Sequence, residues 1–68
     1  MSEVLANFGR NLHIILYDKK MSNTALAQKI GVSSQIISAY TTGVKTPSLE
    51  TLVKISNALG VTVDELIK

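Results

Sequence analysis

Residues 23–42 read NTALAQKIGVSSQIISAYTT, and two short helical patterns are legible in them on either side of Gly31. Before the glycine, Leu26, Ala27 and Ile30 share one helical face, and Ser22 is placed to cap the N-terminus. Gly31 tolerates the left-handed conformation that ends a helix, so the first pattern stops there. Ser33 is the next cap candidate, and it opens a pattern running to about Thr41 that carries Ile36, Ile37 and Tyr40; Gly43 ends it. So short a turn cannot fold the two helices antiparallel and instead holds them at a steep angle. Ala27 is small where the helices would cross closely. Ile30, Ile37 and Tyr40 are large and apolar where the pair would seal onto a core.

Working outward, Leu5, Phe8, Leu12, Ile15 and Leu16 recur at helical spacing and predict a first helix from Ser2 or Glu3 to Lys19. Gly9 weakens that helix without interrupting its apolar face. Downstream, Val44 to Pro47 read as a loop, and Pro47 suits the approach to a new helix. From about Ser48, Leu49, Leu52, Val53, Ile55, Ala58 and Leu59 predict a fourth helical stripe, stopped by Gly60. Thr62 and Glu65 have the spacing of a capping box that would open a fifth helix, Val63 to Ile67. No segment alternates with period two. The expectation is an all-α, compact five-helix domain filling residues 1–68.

Sixty-eight residues leave no room for a second core. The absence of cysteine excludes disulfides and thiolate metal sites. No apolar run approaches the roughly 18 residues of a membrane span, and the N-terminus lacks a basic-then-apolar signal pattern. His13 is the sole histidine and reads as a solvated surface residue without an acid–base or ligand partner of its kind. With no nucleophile–base pair, no metal cluster and no phosphate-cradling glycine loop, an enzyme is not expected, and neither is a cofactor. The net charge of +2 says little, but its distribution says more. Asp and Glu are absent from Lys19 to Leu49, which includes Lys19, Lys20, Lys29 and Lys45. A surface facing phosphates needs such a carboxylate-free segment.

The string MSNTALAQKIGVSSQIISAYTTGVKTPSLETLVKISNALGVTVDEL, residues 21–66, resembles the Cro and lambda-type repressor helix-turn-helix family. It follows the family's Leu-Ser-x-x-x-Leu-Ala-x-x-Ile-Gly-Val-Ser … Pro-Ser-Leu-x-x-Leu-x-x-Ile-x-x-Ala-Leu-Gly-Val pattern nearly position for position. One departure stands out: the family's Arg late in the first helix and its Glu partner late in the recognition helix are here Leu16 and Thr41. Losing both together is self-consistent, because losing one would leave a buried unpaired charge.

The resemblance implies a DNA-binding transcriptional regulator, in the main a repressor, that acts as a homodimer on a palindromic double-stranded operator. It further implies a cytoplasmic, nucleoid-associated protein of bacterial or phage origin, with no membrane or small-molecule partner. Ser34, Gln35 and Ser38 fall at the positions facing base edges, in agreement with the rule that the N-terminal part of the second helix enters the major groove. The Gln35 amide suits bidentate bonds to adenine. Ala39 suits a thymine methyl, and Ile36 is open between that role and local packing. Phosphate contacts are expected from Ser22 and Asn23 at the start of the second helix and from Thr42, Lys45 and Thr46 after the third. Leu66 and Ile67, near the end of the chain, are the expected dimer contacts. A protein-interaction module that keeps the fold without binding DNA is the competing reading. The sequence also leaves open whether these residues form a complete small regulator or the N-terminal part of a longer one.

Overall fold

The computed structural model describes residues 3–68, with side-chain surroundings from Ala6 onward. Among the described residues there are five helices and no strand: α1 Glu3–Asp18, α2 Asn23–Ile30, α3 Ser34–Thr42, α4 Leu49–Leu59 and α5 Val63–Ile67. A start at Ser2 and the inward place expected for Leu5 lie outside what is described.

Four helices begin the same way, for the same local reason. Ser22, Ser33, Ser48 and Thr62 hold extended backbone, and each side-chain oxygen accepts from the amide three residues on. Each such cap contributes ~1 kcal/mol relative to alanine. At Thr62 the capping box is complete, since the Glu65 carboxylate accepts from the Thr62 amide at 3.1 Å. The exit from α1 is different. Lys20 takes a left-handed φ of 55°, which brings the Met21 amide to the Leu16 carbonyl at 2.9 Å. No glycine marks that end, which is why the sequence placed it one residue late.

The core draws on every helix: Phe8, Leu12 and Leu16 from α1, Leu26 and Ala27 from α2, Ile37 and Tyr40 from α3, Ile55 and Leu59 from α4, and Leu66 from α5. Phe8 meets Tyr40 edge to face with centroids 6.0 Å apart. Ser56, the buried polar side chain among the described residues, donates to the Val53 carbonyl at 2.8 Å, which removes the desolvation cost of its hydroxyl.

Two long-range contacts set how α1 lies. Gly9 is buried against the end of α3, where an added Cβ would stand 2.8 Å from the Tyr40 carbonyl oxygen and 3.1 Å from that of Thr41. Asn11 donates its amide to the Leu66 carbonyl at 3.1 Å and so ties α1 to α5. Sequence reading treated Gly9 as a weakness and passed over Asn11.

Two expectations need correction. Leu66 is wholly buried, and Ile67 is half-buried against the same core, so Leu66 is not available to a second copy. The fifth helix is short, and closing the core beneath α1 uses its apolar side. On α4, Leu52, Ile55 and Leu59 turn inward, but Leu49 is 75% and Val53 41% exposed. Val53 lies ~100° around the helix from Leu52, and Leu49 sits in the first turn, so neither belongs to the buried stripe.

Gly9→Ala is expected to reverse the usual sign of a glycine-to-alanine change within a helix. Alanine ordinarily gains ~0.5–1 kcal/mol there, but the overpacked contact with α3 should cost ~1–3 kcal/mol. Thermal melting followed by circular dichroism should show a lowered midpoint, and a raised one would contradict the close packing of α1 on α3. Leu66→Ala should cost ~2–5 kcal/mol, as for a core leucine. A chemical-denaturation change within ~0.5 kcal/mol, the range of a surface site, would contradict its burial.

Candidate nucleic-acid interface

The interface is built from the turn between α2 and α3. Gly31 adopts φ 79° and ψ 34°, and its amide and that of Val32 both donate to the Ala27 carbonyl, at 2.8 and 3.0 Å. These bonds close α2 and send the chain off into Ser33, whose extended backbone and capping hydroxyl start α3. Burial of Ile37 and Tyr40 then fixes the rotation of α3 about its own axis. The opposite face is left to solvent. Nine residues at 1.5 Å rise give a rod of ~13 Å that is ~10–12 Å across with its side chains, a diameter that a major groove ~12 Å wide can admit.

On that rod Gln35 and Ser38 are exposed, three residues apart on one stripe, while Ser34 and Ala39 are half-buried. Ile36 is half-buried and packs against the core. Local packing is thus one of its roles, and its remaining exposed surface lies on the same helix as Gln35 and Ser38.

The residues expected to meet phosphates divide by the state of their donors. Ser22 is exposed, and its oxygen accepts from the Ala25 amide at 3.0 Å, which leaves the hydroxyl proton available to donate. Asn23 is half-buried in the first turn of α2. Lys45 and Thr46 are exposed in the loop, whose start is docked by the amides of Val44 and Lys45 on the Ala39 carbonyl. Thr42 is less suited. Its hydroxyl already donates to the Ser38 carbonyl at 3.0 Å and lies 3.2 Å from that of Ala39, so donation to a phosphate would require breaking a helix-internal bond.

The ion pairs among the described residues are Glu50–Lys54 at 3.5 Å and Asp64–Lys68 at 3.8 Å, both outside the carboxylate-free segment. An open cleft of about 590 Å³ lies beside Ser22, lined also by Leu16, Tyr17, Asp18, Lys20 and Met21. Asp18 in its wall offsets the attraction of Lys20, so the cleft adds no evident anion site. Among the described residues no group of three or more His, Cys, Asp or Glu is placed to hold a metal ion. No helix among them is long and apolar enough to cross a membrane.

The sequence profile of the helix-turn-helix family matches residues 16–66. Over 61 residues the chain is 36% identical to the uncharacterized HTH-type transcriptional regulator YqaE of Bacillus subtilis, covering 90% of this chain and 53% of that one. Its structure is similar to that of the restriction-modification controller protein C.AhdI from Aeromonas hydrophila, with a TM-score of 0.86, 27% identity, and coverage of 91% of this chain and 94% of that one. It is also similar to a part of the hydroxypropylphosphonic acid epoxidase from S. wedmorenis. There the TM-score is 0.91 and the identity 23%, over all of this chain and 36% of that one, a likeness of fold alone. The chain therefore spans about half of the curated relative and about a third of the epoxidase. With the profile covering both halves of the Gly31 turn and the α4 and α5 helices that support it, the chain belongs to the helix-turn-helix family of the phage-repressor type.

Proposed function

We propose that this chain is the DNA-binding part of a transcriptional regulator, reading double-stranded DNA with α3 in the major groove. The observation that carries the reading is an exposed polar stripe, Gln35 and Ser38, on a helix held out by the Gly31 turn within a segment free of carboxylates. Gln35 reads an adenine edge, and Ser34 and Ser38 bond less selectively. Ala39 offers a methyl to thymine. Ser22, Asn23, Lys45 and Thr46 fix register on the phosphates.

Repression from a palindromic operator by a homodimer is the form of regulation that fits best. The molecule measures 28 Å at its longest, whereas half-sites one helical turn apart are separated by ~34 Å. One copy therefore reads one half-site, and a second copy is required for the other. The place of action that follows is the nucleoid in the bacterial cytoplasm.

Selection of bound sites from random duplex DNA is the direct test and should return a two-fold symmetric sequence. Affinity for that sequence should fall steeply with salt, with log K linear in log salt and a slope of about −0.9 per phosphate neutralised. A flat response, or no retention on duplex DNA at low salt, would favour a protein-interaction module instead. Gln35→Ala should cost ~1–3 kcal/mol on the selected site and relax preference at one base pair. Lys45→Ala should weaken all sequences alike and lower the salt slope by ~1. An identical, sequence-independent effect of both changes would remove Gln35 from the groove.

A further inference from the structure

Leu49 and Val53 are exposed on α4, four residues apart and so adjacent on one helical face. Beside them run Glu50 and Lys54, also four apart, exposed, and bridged at 3.5 Å. We propose that this face of α4 is a self-association surface that pairs antiparallel with the same face of a second copy, an inference that rests on the homodimer reading above.

The pattern is self-complementary. In an antiparallel pairing about a two-fold axis, each contact occurs twice. Leu49 then faces Val53 of the second copy, and Glu50 faces Lys54 of the second copy. The first pair is centred on residue 51 and the second on residue 52, so a single crossing point serves both within one residue. Among the described residues Ile14 and Tyr17 on α1 also expose apolar surface on one helix, but the charges four residues either side of Ile14, Arg10 and Asp18, do not form an adjacent ion pair like that of Glu50 and Lys54. On α5, Leu66 is in the core and Ile67 is half-buried against it.

Size sets the strength of the contact. A stable interface buries ~800 Å² per partner, roughly a fifth of this chain's 4303 Å², and two aliphatic side chains with a charged rim fall well short of that. The α4 seam is therefore weak between free molecules. It takes effect when two copies sit on adjacent half-sites, where their effective concentration is high.

The chain contains no cysteine, so single introduced thiols report contacts without background. Leu49→Cys and Val53→Cys proteins, each checked for native circular dichroism, are mixed in equal amounts at high concentration in a glutathione redox buffer. The mixed disulfide dimer should exceed either homodimer by about tenfold, because only that pair comes within the ~7 Å Cα separation a disulfide tolerates. Adding Glu50→Lys to both proteins should reduce it, and adding Lys54→Glu as well should restore it. The statistical mixture expected of random collision would overturn the proposal. Retention of the unaltered chain on duplex DNA at low salt is measured alongside. Directed cross-linking without retention supports the α4 surface and removes the DNA reading, whereas retention with statistical cross-linking does the reverse.

Discussion

The left-handed turn at Gly31 governs much of what this molecule presents to its surroundings. A residue with φ 79° at that point lets two successive amides donate to the Ala27 carbonyl, which closes the C-terminal end of α2. The next helix then starts at a steep angle only a few residues later. Most side chains would resist this backbone conformation, since the left-handed region costs an L-residue ~1–2 kcal/mol. From this turn follow the inward aim of Ile37 and Tyr40, the outward aim of Gln35 and Ser38, and the position of the groups proposed to meet phosphates at either end.

A turn fixes direction, but the height of α3 above the body is set by what lies beneath it. Gly9 allows the backbones of α1 and α3 to approach more closely than any side chain would permit, and Phe8 and Tyr40 fill the space beside that contact. For a chain of this size, which buries only ~60% of its unfolded surface, such close packing matters. The serine and threonine caps contribute local increments, and the buried apolar side chains from all five helices supply the non-local part of the stability.

The recognition face is uncharged, and this shapes the proposed mode of binding. Side chains such as Gln35 and Ser38 discriminate among base edges but contribute little long-range attraction. Attraction must come from the lysines and helix-end amides around them, in a segment without carboxylates. A small number of neutral base contacts per copy also gives each half-site modest selectivity. In the proposed function, pairing of two copies is the means by which a longer sequence would be read.

Sequence alone determined the number of helices, most of their boundaries and the turn, because each is decided within a few residues. A serine and the amide three positions on make a cap, and a glycine makes a stop. Leu26, Ala27, Ile37 and Tyr40 declared themselves by spacing. The end of α1 at Asp18 escaped, since the left-handed Lys20 that turns the chain carries no local mark. The candidate site was legible as far as Gln35, Ser38, Lys45 and Thr46, whose exposure follows from the helical period and the loop. Other features depended on partners far away in the chain. Whether Leu66 faced solvent or core depended on α1, as its carbonyl bond from Asn11 spans 55 residues. Gly9 is a close-packing site only because α3 arrives there. Ile36 is half-buried against the core, the Thr42 hydroxyl turns back on its own helix, and Leu49 and Val53 lie outside the face of α4 that the other helices cover. Local rules act through backbone geometry that a few residues can specify, whereas burial is a property of surfaces brought together from the whole chain.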